Sequence, residues 1–128
     1  ILMGDLNDGT YNKSVKVGIG AKLKKSEVQQ FGIYNPFEQM YKDGNATLFY
    51  RDSGDIFDQI MVSEPLIRAN TTPSYQYNSS AVYKPSWMAV DKEGDWKGAP
   101  KRSYIKKEFY PDGYSDHFPV MTRLSFIE

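Results

Sequence analysis

Hydrophobic positions along this chain fall in short runs broken by glycine, proline, asparagine and charged residues, a rhythm that suits brief strands and turns. Ile1, Leu2 and Met3 predict a short buried strand feeding a turn at Gly4-Asp5. Residues 12–19 predict a short helix weakened by Gly18 and Gly20, and residues 26–31 predict another helical turn. Asn35-Pro36 is a cleaner start signal, with Asn as N-cap and Pro in the first helical position. Phe37, Met40 and Tyr41 then share one helical face, and Asp43-Gly44-Asn45 ends the helix.

Residues 46–51 and 56–62 predict two antiparallel strands joined by a four-residue hairpin loop, Asp52-Ser53-Gly54-Asp55. Residues 64–80 are polar and read as loop with one strand around Tyr75 and Tyr77. Residues 81–83 and 87–90 are apolar patches of no defined period, and residues 91–100 read as a surface loop. Residues 120–127 predict a closing strand. This pattern implies an α+β fold, with one mostly antiparallel sheet and a few short helices on one face.

Length and composition narrow the functional classes. A chain of 128 residues suits one domain with a core of its own. Formal net charge is zero, so no global basic field marks a nucleic-acid partner. The absence of cysteine excludes disulfides, thiolate zinc sites and cysteine nucleophiles, and leaves both secreted and cytoplasmic settings open. No apolar run approaches the roughly 20 residues of a membrane-spanning helix. Ten tyrosines fit a strand-rich core and ring-lined surfaces.

Candidate chemistry gathers in three stretches. Gly113-Tyr114-Ser115-Asp116-His117-Phe118-Pro119-Val120 holds the sole histidine beside a carboxylate. Phe118 precedes a proline and is biased towards extended backbone, so the Asp-His pair falls on a turn at the mouth of a strand. Taken alone, a surface histidine near a loop acid explains the pair as well. In Gly4-Asp5-Leu6-Asn7-Asp8, Asp5 and Asn7 stand two apart and leave extended backbone on one face. Together they can hold a hard cation or its water and donate to a phosphate oxygen, although an ordinary Asn-Asp-Gly turn has the same composition. Asp58 is the one charge within residues 56–62. A carboxylate in such a strand either faces solvent or needs a partner, and His117 is the one imidazole on offer. A basic cluster, Lys101-Arg102-Ser103-Tyr104-Ile105-Lys106-Lys107, could steer a polyanion and stack a base, or form a solvated loop.

In this order the three stretches resemble the signatures of the endonuclease/exonuclease/phosphatase superfamily: a Gly-Asp-x-Asn turn, an Asp-x-Ile strand and a terminal Ser-Asp-His. The resemblance implies half of a four-layer α/β/β/α sandwich, with residues 1–128 as the C-terminal half of a deoxyribonuclease I-like domain. The chain opens inside a strand pattern, and the expectation is a fragment whose N-terminal half is absent. That half, or a second copy, would then cover an apolar sheet face drawn from Leu2, Phe57 or Ile60, Met61 or Val62, and Val120, Leu124 or Phe126.

The resemblance further implies a metal-dependent phosphoester hydrolase, foremost a nuclease-type phosphodiesterase, using Mg²⁺ or Mn²⁺. His117 is then the general base or phosphate contact, Asp58 orients it, and Asp5 and Asn7 position water and phosphate. Asp116 and Asp5 bind the metal, while Asn7, Lys101, Arg102 and Tyr104 contact the substrate. The alternatives are a non-catalytic interaction module keeping the fold, or a phosphatase or sphingomyelinase-like enzyme for a small or lipid phosphoester.

Overall fold

The structure, a computed structural model, describes residues 1–68, 70 and 72–126. Strand β1 (Leu2–Asp5) leads through a π-helical segment (Ser14–Ile19) and a 3₁₀ turn (Lys25–Glu27) to β2 (Ile33–Tyr34). Helix α1 (Pro36–Lys42) follows, then β3 (Leu48–Tyr50), β4 (Ser53–Asp55), β5 (Asp58–Ser63) and the short α2 (Glu64–Ile67). The second half contains β6 (Ser74–Tyr75), β7 (Ala81–Val82), a 3₁₀ turn (Ser86–Met88), β8 (Tyr104–Ile105) and β9 (Glu108–Phe109). Strands β10 (Val120–Met121) and β11 (Leu124–Ser125) close the chain. The fold class is α+β, as the hydrophobic pattern implies.

Strand β5 is the spine. It lies between β1 and β2 in a three-stranded antiparallel sheet. Three consecutive residues on it enter three separate core clusters. Ile60 packs with Phe37 and Ile56, Met61 with Val15 and Ala21, and Val62 with Tyr34 and Tyr75. Each such burial contributes roughly 1.5–3 kcal/mol, so β5 is held from both faces. Helix α1 starts where the sequence places it: the Asn35 side chain accepts a hydrogen bond from the Phe37 N–H at 3.1 Å. Its Phe37, Met40 and Tyr41 face β5 and Val120 in one cluster.

Several expectations are corrected. The sheet expected as one is, among the described residues, a three-stranded sheet and four two-stranded ones. Leu2 and Met3 do form strand, which runs on through the expected turn at Gly4-Asp5, but both are exposed, because β1 lies at a sheet edge. The inner face expected to be bare is closed over Ile60, Met61 and Val62; of the residues named for it, Leu2 and Phe126 are the exposed ones. The hairpin pairs β3 with β4 around a two-residue turn, Arg51-Asp52, and β5 is not part of it. Gly54 looks like a turn glycine but lies inside β4, where an added Cβ would come within 2.6 Å of the Ala46 Cβ. The helical turn expected at residues 26–31 is the 3₁₀ turn at Lys25–Glu27, and α2 occupies part of the expected loop at residues 64–80, of which 69 and 71 lie outside the described residues. The closing strand is two short strands with different partners, β10 on β7 and β11 on β6; its expected end, residue 127, lies outside the described residues.

Candidate active site

The antiparallel register sets Asp5 directly opposite Asp58, at the end of the β1–β5 pair. Like charges in that relation repel unless a cation or proton donor stands between them. The turn after β1 is closed locally: the Asp5 Oδ1 accepts the Asn7 N–H at 3.0 Å, and Asn7 adopts a left-handed φ of 52°, which asparagine tolerates better than most residues. Leu6 continues the pairing by donating its N–H to the Phe57 carbonyl at 2.9 Å.

The imidazole arrives from the far end of the chain. The Ser115 Oγ accepts the His117 N–H at 3.1 Å, and the next residue, Phe118, is buried at 1% exposure. His117 Nδ1 lies 2.7 Å from Asp58 Oδ2, with both side chains partly buried. A carboxylate has no hydrogen to give, so Nδ1–H is the donor and the lone pair falls on Nε2. The Asp58–His117 pairing expected from the sequence is therefore present in the structure.

One buried residue holds both halves of this pair. The Thr47 carbonyl accepts the Phe118 N–H at 2.7 Å, while the Thr47 Oγ1 accepts the Phe57 N–H at 3.2 Å. Phe118 adjoins His117 and Phe57 adjoins Asp58, so Thr47, fully buried, ties the two segments together. A second anchor is Gln59, also fully buried. Its Nε2 donates to the Asp8 carbonyl at 2.9 Å and the Ile56 carbonyl at 3.0 Å, and its Oε1 accepts from Asn35 Nδ2 at 2.9 Å. It thus ties the Asp5–Asp8 turn to β5 and to the cap of α1. Sequence reasoning passed over both residues. The available signal was weak: Gln59 is an uncharged polar residue in an otherwise apolar run, adjacent to Asp58.

Asp5, Asp58 and His117 each offer a ligand atom within 4.8 Å of one another, whereas Asp116 does not join this group. Two opposed carboxylates with an imidazole make an oxygen-rich, net-negative donor set that suits a hard divalent cation. Asn7 is exposed on the same turn as Asp5. Asp116 is exposed and lines a cavity of about 360 Å³ together with Arg102, Ser103, Tyr104, Tyr114 and Ser115. The expected substrate contacts Arg102 and Tyr104 thus meet Asp116, but not the acid–imidazole cluster itself. Gly113 makes this meeting possible, since an added Cβ would sit 2.1 Å from the Arg102 carbonyl oxygen. The Arg102 guanidinium rests 4.6 Å above the Trp96 ring. On the flank of the site, the Tyr11 hydroxyl donates to Asp55 Oδ2 at 2.6 Å, and this bond raises its pKa to about 12.

The model of the endonuclease/exonuclease/phosphatase family matches residues 1–125. The chain belongs to this family. Among curated proteins and solved structures, nothing matches it. Members of the family are generally hydrolases of phosphoesters and generally use divalent metals. The structure also places in one cluster three residues from the three motifs that carry the resemblance: Asp5, Asp58 and His117. Among the described residues, no helix is long and apolar enough to cross a membrane.

Proposed function

We propose that this family member is a metal-dependent phosphodiesterase, with the DNA backbone as its foremost substrate and Mg²⁺ or Mn²⁺ as its cofactor. The observation that carries this reading is the 2.7 Å contact between His117 Nδ1 and Asp58 Oδ2 beside the Asp5 carboxylate. His117 Nε2 is the general base or phosphate contact. Asp58 fixes its tautomer and stabilises the imidazolium, the logic by which a buried acid supports a catalytic histidine. Asp5 would hold the cation, whereas Asp116, the second ligand the resemblance implies, lies outside the Asp5–Asp58–His117 group. Asn7 offers an amide to the phosphate and to the attacking water, while Lys101, Arg102 and Tyr104 contact the substrate beyond the reacting group. When bound, the cation would supply positive charge to the phosphate oxygens.

Hydrolysis of plasmid DNA and of bis-p-nitrophenyl phosphate, in saturating Mg²⁺ and in EDTA, tests the chemistry. Metal-dependent turnover lost in His117→Ala supports the proposal. Equal rates in the wild type and in His117→Ala would favour a non-catalytic interaction module.

A further inference from the structure

The four strand residues of the hairpin formed by β8 and β9 are all exposed. Tyr104 and Phe109 are cross-strand partners, their ring centroids 5.4 Å apart, and each is more than 60% exposed. Rings paired in this way normally close over a core, yet none of the three core clusters includes either residue. The two-residue turn between the strands is Lys106-Lys107, with φ of 50° and 72°. Asparagine-glycine would take that turn without strain, whereas two lysines in left-handed backbone cost energy and place two cations at the apex. Neither lysine forms an ion pair among the described residues.

The hairpin also reaches Asp116, the residue before His117. Tyr104 lines the cavity that holds Asp116, and it lines a second cavity of about 460 Å³ with Trp96, Arg102 and Ile105. A chain leaving the reacting phosphate at the Asp116 side would run along Arg102 onto the Tyr104 ring. Rings at the side of a groove with cations at the tip match a polymer of alternating flat bases and phosphates. A bilayer would require the reverse arrangement, with rings at the apex and lysines behind them.

We infer that the Tyr104–Phe109 face, with Lys106 and Lys107, is a stacking subsite for unpaired nucleotides flanking the scissile phosphate, so that the enzyme prefers single-stranded nucleic acid. The inference rests on the phosphodiesterase reading only for the fate of the bound strand. Binding is therefore measured in EDTA, where no cleavage intervenes and loss of chemistry cannot be mistaken for loss of the subsite.

The probe is fluorescein-labelled oligothymidylate, read by anisotropy against the wild-type chain, with the same sequence as a duplex for comparison. Tyr104→Ala and Phe109→Ala each weaken binding of the single strand about fivefold or more, Phe109→Trp preserves it, and the duplex binds less tightly. Lys106→Ala with Lys107→Ala makes the salt dependence of log Kd shallower by about 1.4. Far-UV circular dichroism and melting confirm that each variant is folded. Unchanged affinity in both ring variants would overturn the inference. So would ring-dependent flotation with phosphatidylserine vesicles in a protein that does not bind the oligonucleotide.

Discussion

The acid–imidazole cluster and the β8–β9 hairpin are built in opposite ways. In the cluster, each functional group is fixed by a buried residue from elsewhere in the chain: Thr47 beside Phe57 and Phe118, and Gln59 beneath Asp8. In the hairpin, the rings and lysines lie on the surface and are held by local backbone contacts such as Tyr110 N–H to the Ser103 carbonyl at 2.8 Å. The contrast fits the tasks proposed for the two regions. Proton transfer fails when atoms drift from hydrogen-bond distance, so its groups need rigid support. Contact with a flexible polymer tolerates movement, and exposed rings serve it at little cost to the fold.

The contrast is sharpest in the largest effect expected. His117→Ala should lower phosphodiester hydrolysis by about 10²–10⁴-fold, whereas Tyr104→Ala should lower it only through weaker binding, visible in KM more than in kcat. Steady-state kinetics on both variants check this. A kcat loss in Tyr104→Ala equal to that of His117→Ala would dissolve the distinction.

Next come the anchors. Gln59→Leu leaves the Asp8 carbonyl, the Ile56 carbonyl and the Asn35 amide without their partner, and should cost on the order of 2 kcal/mol or more in denaturant unfolding. Thr47→Val removes the Oγ1 acceptor but keeps the carbonyl that holds Phe118, and should cost about 1–3 kcal/mol. Both should also reduce kcat. By comparison, Tyr104→Ala and Phe109→Ala should change stability by no more than about 0.5 kcal/mol. Anchor variants as stable and as active as wild type would show that the cluster needs no such support.

The smallest effect concerns alkaline pH. The hydrogen bond to Asp55 holds the Tyr11 hydroxyl at about 12, above its ordinary value of 10.0. A phenol whose folded pKa is raised binds its proton more tightly in the folded state. Its stabilising share is therefore complete below pH about 10 and disappears as pH rises through about 12. Tyr11→Phe should make the loss of stability over this window shallower in urea titrations. Tyr34, raised to about 12 by burial, should leave a remaining slope.

Much of this was legible in the residues. Asp58 was conspicuous as a lone charge in a strand, and a single histidine left one candidate for its partner. The Asn35-Pro36 cap declared α1 for the same local reason it forms: an amide side chain and a residue without an N–H suit the first turn. What was illegible depends on distant contacts. Gly54 signals a turn in isolation, and only the approach of Ala46 explains it as strand. Residues 120–127 read as one strand because alternation reveals nothing of the partner, whereas β10 and β11 pair with different segments. Thr47 and Gln59 carry no motif, since their role lies in backbone groups that meet only on folding. The exposure of β1 followed from its place at the sheet edge, and an apolar triplet gives no sign of that place.

The central claim, a metal centre built on an Asp58-oriented imidazole, is tested most directly by NMR of the His117 ring during Mn²⁺ titration. Long-range ¹H–¹⁵N spectra should show the proton on Nδ1 and none on Nε2, with Asp58→Asn disturbing that tautomer. Substoichiometric Mn²⁺ should then broaden the His117 ring and the Asp5 and Asn7 amides before any others. A proton on Nε2 in the wild type, or broadening that begins elsewhere and spares these three residues, would contradict the account.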